Sequence, residues 1–129
     1  MSRLTLIALM VWAGLAGALS ASGQFTTTLY SFAKGPTNPR GNLTLGPDGS
    51  FYGTTESGGQ NYGGTVFRVT TNGVLTTLVS FSGYPDGAGP YAGLTLGADG
   101  AFYGTTLGGG TNLDGTNDTG TVFRMTTNG

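Results

Sequence analysis

The sequence predicts an all-β protein made of two four-stranded antiparallel repeats, and three observations carry that prediction. First, a stretch occurs twice. LTLGPDGSFYGTT from Leu43 and LTLGADGAFYGTT from Leu94 match at eleven of thirteen positions, and the later segments GTVFRVTTNG and GTVFRMTTNG match at nine of ten. Repetition this close means one supersecondary unit used in tandem. Second, Gly supplies 26 of 129 residues while aromatics still reach 11%. Many turns beside β-branched and aromatic runs are the composition of sheets, not of a disordered linker. Third, short β-branched and aromatic runs are bounded by the turn signals Pro47-Asp48-Gly49 and Asn72-Gly73, which read as strands joined by hairpins.

The N-terminus is read as a leader. Arg3 gives a short positive start, Leu4 to Leu19 is an apolar run, and Ser20, Ala21, Ser22 and Gly23 are small residues that permit cleavage. The run is short and rich in Gly and Ala for a membrane span. An uncleaved anchor is the alternative, and without a Cys after the small residues a lipoprotein is excluded. Residues 1–23 are therefore expected to be a signal peptide, and the mature chain to start near Gln24 as a secreted or cell-surface protein without a stable membrane span.

Phe25 to Phe32 (FTTTLYSF) is the next β-run, and then the first repeat opens. Leu43-Thr44-Leu45 (strand a) leads into Pro47-Asp48-Gly49, where Pro presets φ and Gly accepts φ > 0. Ser50 to Thr55 (strand b) closes that hairpin. Glu56 to Gly63 is a Gly-rich loop, and Thr65 to Thr70 is strand c. Asn72-Gly73 is a strong hairpin signal, followed by strand d, Val74 to Phe81. The second repeat runs from Leu94 through the same a, b and c strands to Asn128-Gly129.

Both faces of these strands carry apolar groups. In strand c one face has Val66 and the other Phe67 and Val69; in strand d one face has Leu75, Val79 and Phe81, the other Val74 and Leu78. A four-stranded meander apolar on both faces must be sandwiched between neighbours like itself, which is the requirement of a β-propeller blade. A β-solenoid would use shorter coils without two tight hairpins per repeat. Thr28-Leu29-Tyr30-Ser31-Phe32 parallels Thr77-Leu78-Val79-Ser80-Phe81, so residues 25–32 read as an orphan outer strand d. It is expected to pair beside Thr121–Thr126. Repeat one spans 43–81, and repeat two, 94–129, is truncated before its own strand d. Two blades do not close a ring of the usual four to eight. The expectation is thus an incomplete propeller, the first part of a longer protein, with a ring of several copies as the alternative. A two-blade fragment is expected to self-associate through its open faces.

The pattern LTLGxDGxFYGTT, Gly-rich loop, GTVFRxTTNG and LTTLxSF resembles the GloVer-type tandem repeat of exported bacterial proteins, over nearly all of Phe25 to Gly129. That resemblance implies a secreted or surface-displayed repeat protein, with a short C-terminal sorting anchor common in such chains. The blade layout is also similar to NHL-like and lyase-type propellers.

Topology places the candidate site. In an up-and-down blade the a–b and c–d turns share one end and the b–c and d–a loops share the other. The first set is uniform (PDG and ADG, then TNG twice). The second varies: Glu56–Gly63 has eight residues against thirteen in Leu107–Thr119, and Ala33–Asn42 differs from Ser82–Gly93. Variable loops on a rigid scaffold are where binding sites are built. Tyr62, Tyr84 and Tyr91 there can stack on sugar rings, with Arg40 and Asp86 as polar partners, although tyrosines in such loops also serve packing. Asn112, Asp114, Asn117 and Asp118 are a candidate Ca²⁺ cluster, set against an ordinary solvated turn because the spacing departs from the usual Ca²⁺ loop. Arg68 and Arg124, at one place in both copies, suggest a blade-to-blade hydrogen bond. Asp48 and Asp99 fit turn chemistry, and Tyr52 to Thr55 with Tyr103 to Thr106 fit packing of strand b on a neighbour. The Asn42 and Asn117 sequons matter only in a eukaryotic secretory host.

Charge and composition exclude several functions. The formal net charge is −1, or −2 once Arg3 leaves with the leader, and no basic patch suits nucleic acid. The chain has no Cys and no His, so there is neither a disulfide framework nor the commonest general base. No catalytic residue is assigned and no cofactor is expected beyond the candidate Ca²⁺. Two function classes follow. One is a non-enzymatic extracellular module for binding, adhesion or structure, with neighbouring repeats and extracellular carbohydrate or protein as partners. The other is part of a propeller hydrolase or lyase acting on polysaccharide or lactone. For that chemistry the variable end offers only Glu56, Asp86, Asp114 and Asp118, spread over three loops.

Overall fold

A computed structural model describes residues 26–33, 35–110 and 119–129. Residues 1–25, with the segment read as a leader, and the Asn112, Asp114, Asn117 and Asp118 positions lie outside the described residues. The described chain is all-β. It contains β1 (Thr37–Pro39), β2 (Thr44–Leu45), β3 (Phe51–Ser57), β4 (Thr65–Val69), β5 (Leu75–Ser80), β6 (Thr95–Leu96), β7 (Phe102–Thr106) and β8 (Thr121–Met125). They form two antiparallel sheets, one of five strands and one of three. Among the described residues no helix is long and apolar enough to cross a membrane.

In the first sheet β3, β4 and β5 pair in sequence order, while β1 and β2 share the free edge of β3. β2 lies against Phe51 and Tyr52, and β1 against Thr55 and Ser57. β1 falls inside the stretch read as a d–a loop. Its counterpart in the second sheet is a single bridge, Ala88 to Gly108, and the second sheet is otherwise β6-β7-β8.

The hairpins follow from their turn residues. Gly46 and Ser50 close the β2–β3 turn through Gly46 N–H to Ser50 O (2.8 Å), and Asp48 Oδ1 accepts from Ser50 N–H at 3.1 Å. Gly97, Asp99 and Ala101 repeat this arrangement in the second sheet, at 2.8 and 3.1 Å. The Asn72-Gly73 turn is the three-residue form rather than a two-residue one. Thr70 and Val74 close it, Gly73 N–H reaches Thr70 O at 2.9 Å, and Gly73 alone there has positive φ.

Each repeated motif has a packing cause. Gly53 sits opposite Phe67 and Gly104 opposite Phe123. A Cβ at either would stand 2.6 or 2.4 Å from the phenyl ring lying across it, so the glycine of YGTT is the seat of its partner's phenylalanine. The following threonines pair across strands: Thr55 and Thr65 hydroxyls are 2.7 Å apart, Thr106 and Thr121 hydroxyls 2.8 Å. That bond satisfies hydroxyls which would otherwise be costly to bury.

The sheets pack face to face. Tyr52 and Val66 from the first meet Leu94, Phe102 and Met125 from the second, with Phe81 completing the cluster. Tyr52 and Phe102 rings stack with centroids 4.2 Å apart, and Phe81 meets Phe123 edge-on at 5.1 Å. Thr54 Oγ1 donates to Ala92 O at 2.8 Å, and Thr44 Oγ1 donates to Leu94 O. The core thus lies between the repeats, not inside either one.

Two expectations need correction. Residues 26–32 form no strand and do not pair beside β8. They lie across the other face of the first sheet, where Phe32 meets Phe67 edge-on at 5.3 Å and Leu29 O closes on Gly73. Within one chain the segment faces the first sheet, and β8 belongs to the second. Arg68 and Arg124, for their part, bond within their own repeats. Arg68 pairs with Asp48 at 3.0 Å and donates to Ser50 Oγ at 2.9 Å; Arg124 pairs with Asp99 at 3.0 Å. Cross-strand register sets each arginine beside its own repeat's turn aspartate, within reach of a salt bridge. Asp99 is held below the usual carboxylate range by the Ala101 N–H, then by Arg124 and Tyr103. At Asp48 burial pushes upward, but hydrogen bonds from Ser50 and Tyr52 and the charge of Arg68 leave it lowered.

Candidate functional site

The described parts of the variable loops gather at one end of both sheets and are tied there by backbone bonds, most of them to glycines. Phe81 N–H reaches Gly64 O (2.9 Å), Gly89 N–H reaches Gly63 O (2.8 Å), and Leu107 N–H reaches Gly89 O (3.0 Å). Ala88 and Gly108 exchange bonds of 2.9 and 3.0 Å, and Gly120 N–H reaches Gly109 O at 3.1 Å. Such close backbone approach leaves no room for side chains. A Cβ on Gly64 would lie 2.5 Å from Thr55 O, and one on Gly120 2.2 Å from Thr106 O. The rim is therefore a fixed platform although it has little regular strand.

On this platform Arg40, Glu56 and Tyr91 meet. Arg40 Nε donates to Glu56 Oε2, and Tyr91 donates its hydroxyl to Glu56 Oε1 at 2.6 Å. The Arg40 guanidinium lies 5.2 Å from the centre of the Tyr91 ring, a cation–π contact. The Tyr91 hydrogen bond and then Arg40 hold the Glu56 carboxyl below its ordinary range. The same bond to Glu56 raises Tyr91, and Glu56 raises Arg40. Near neutral pH Glu56 is ionised and Tyr91 neutral, so the carboxylate accepts hydrogen bonds and does not donate a proton.

Beside the cluster runs an open groove of about 430 Å³ between the repeats, bordered by Glu56, Ser57, Ala88, Tyr91, Leu107 and Gly108. Its two sides differ chemically. One side has the Glu56 carboxylate and Ser57 of the first repeat, and the other has the Tyr91 ring from the connection between the repeats and the exposed Leu107 of the second. Such a trough can hold a ring with one apolar face and polar edges.

Of the residues singled out in the sequence, Arg40 and Tyr91 are brought together. Tyr62 and Tyr84 are exposed at 84% and 58% and stand outside the groove. Asp86 accepts from Ser82 Oγ at 2.7 Å inside its own loop and also lies outside the groove. The Ca²⁺ candidates fall outside the described residues; among the described residues no three His, Cys, Asp or Glu side chains cluster as metal ligands. Glu56, the hub of the cluster, was weighed in the sequence only as a stray carboxylate. A signal for it existed: Glu56 stands where the second copy has Leu107, and Arg40 stands where it has Tyr91.

The family model described as the Gloeobacter/Verrucomicrobia repeat matches residues 13–129. A search of curated proteins finds no match.

Proposed function

Because the chain belongs to the Gloeobacter/Verrucomicrobia repeat family, we propose that it is an exported binding module whose sheets are blades of the β-propeller type, and that its inter-repeat groove takes extracellular carbohydrate. The leader-like start supports export. Face-to-face packing of two like sheets across Tyr52 and Phe102 supports the blade reading. The observation that carries the ligand class is the two-sided groove, with an ionised carboxylate facing an aromatic ring and an aliphatic side chain. A pyranose has that division: C–H groups on its faces for Tyr91 and Leu107, hydroxyls at its edge for Glu56 and Ser57. Holding Glu56 ionised against Arg40 suits it to accept sugar hydroxyls. The general-acid role of a glycosidase needs a carboxyl raised above its usual range, the opposite shift.

Affinity electrophoresis against a panel of soluble plant and bacterial polysaccharides tests this. The chain is expected to be retarded by at least one polymer. Tyr91→Ala, which removes the ring but leaves the sheets intact, should weaken that retardation by about tenfold or more without changing the melting temperature by more than a few degrees. Migration unaffected by every polymer, or undiminished retardation of the variant, would contradict the assignment.

A further inference from the structure

What a groove can recognise is set by the hydrogen-bonding groups that its wall leaves free. Along the inter-repeat groove the backbone donors of four bordering residues are already in use. Ala88 and Gly108 N–H go to each other's carbonyls at 2.9 and 3.0 Å, Gly89 N–H goes to Gly63 O at 2.8 Å, and Leu107 N–H goes to Gly89 O at 3.0 Å. The Tyr91 hydroxyl hydrogen is taken by Glu56 Oε1 at 2.6 Å. Arg40 Nε is engaged by Glu56 Oε2, and Arg40 stands outside the groove, against the Tyr91 ring.

Acceptors, by contrast, are left over. An ionised carboxylate has about four lone-pair sites on its two oxygens. Tyr91 occupies one on Oε1 and Arg40 one on Oε2, so each oxygen keeps a second. The Glu56 side chain is 20% exposed and borders the groove. Ser57 beside it adds a hydroxyl that both donates and accepts. Glu56 thus meets a ligand as a pair of adjacent acceptors, held in place by two donors that do not belong to the ligand.

We infer that the groove selects sugars with a free vicinal diol, two adjacent ring hydroxyls donating together to Oε1 and Oε2 of Glu56. Neighbouring hydroxyls on one ring are close enough to reach both oxygens of a single carboxylate. Hydrogen bonds to an ionised acceptor are also about twice as strong as those between neutral groups. A ring whose hydroxyls are capped offers oxygen acceptors alone. Against Glu56 it finds no donor, and the carboxylate loses water without a replacement bond. The Tyr91 ring and Leu107 bind C–H faces that most sugars share, so Glu56 is the group that discriminates. This inference rests on the groove being a carbohydrate site and adds which sugars enter it.

The test measures binding of the chain to galactomannan, dextran and arabinoxylan on beads, each native and fully O-methylated. Methylation removes every hydroxyl donor with the least added bulk and keeps the oxygens. At least one native polymer is expected to hold the chain about a hundredfold or more tightly than its methylated form, since two bonds to a charged acceptor are lost. Glu56→Gln should shrink that ratio by about tenfold or more, because an amide accepts at its oxygen but donates at its nitrogen. The ratio is taken on one variant at a time, so any general loss of stability cancels from it. Native and methylated polymers held equally by the unaltered chain overturn the inference, while the carbohydrate reading stands. A ratio unchanged by Glu56→Gln overturns it too, because another group then reads the hydroxyls. Failure to bind any polymer in either form contradicts the carbohydrate reading itself and takes this inference with it.

Discussion

Phe102→Ala is expected to destabilise the chain by about 3–5 kcal/mol and to melt both sheets together. Phe102 is fully buried and stacks on Tyr52 across the sheets, within the cluster holding Val66, Phe81, Leu94 and Met125. Removing the ring opens a cavity where the repeats touch, and neither sheet has an equal core elsewhere to fall back on. For a domain of about 100 residues, whose whole stability is about 5–15 kcal/mol, that loss should lower the melting temperature by at least about 10 °C. Phe51 holds the corresponding place in the first repeat but is only half-buried. Phe51→Ala should therefore cost less than half as much. Calorimetry of both variants checks the ordering; equal losses would mean that the inter-sheet stack carries no special weight.

Gly64→Ala is the second large effect, expected at about 3–5 kcal/mol from two additive causes. Gly64 has φ +93°, where an L side chain is strained, and its new Cβ would lie 2.5 Å from Thr55 O and 2.7 Å from Glu56 O. Both neighbours are backbone of β3 and cannot swing away. Gly49→Ala separates the causes. Gly49 has φ +75°, but its added Cβ meets nothing within 4 Å, so only the backbone strain of about 1 kcal/mol should appear. Urea unfolding of the pair measures the difference. Because Gly64 also touches Pro90 and the Glu56 carbonyl, its variant should loosen the Arg40–Glu56–Tyr91 cluster, whereas Gly49→Ala should leave it unaltered. Equal unfolding midpoints would show that the rim yields to crowding.

Much of this architecture is legible in the sequence because it is local. Pro47-Asp48-Gly49, Asn72-Gly73 and the β-branched and aromatic runs around them set the hairpins, and near-identical copies guarantee like folds. Apolar residues on both faces of strand c foretell a sheet covered on both sides, and the structure covers Val66 with the second sheet and Phe67 with residues 26–32. What the sequence hides is decided at long range. The segment 26–32 carries the pattern of strand d, but pairing needs a neighbouring strand edge, and within this chain it meets a sheet face instead. β1 is concealed because it consists of Thr37, Asn38 and Pro39, with Asn38 at φ 59° and a proline that cannot donate. Only its position beside Thr55 and Ser57 makes it a strand.

The candidate site was half legible for the same reason. Loop variability pointed to the end of the molecule where Arg40 and Tyr91 meet. The partner that joins them, Glu56, lies 35 residues from Tyr91 and meets it only once the rim is laced together. Tyr62 and Tyr84 look alike in sequence, yet the rim turns them away from the groove. Residue type named the chemistry, and backbone bonds among Gly63, Gly64, Gly89 and Gly108 chose which residues share it.

The central claim is that two like sheets share one core and form a single cooperative unit. Native-state amide hydrogen exchange tests it most directly, because each strand reports its own opening free energy. The slowest amides of β3 and β4 and those of β7 and β8 are expected to exchange with the same opening free energy. Low concentrations of denaturant should shift both groups equally, and Phe102→Ala should lower both together. If β7 and β8 exchange through an opening that leaves β3 and β4 fully protected, and Phe102→Ala affects them alone, the repeats fold independently and the shared core is wrong.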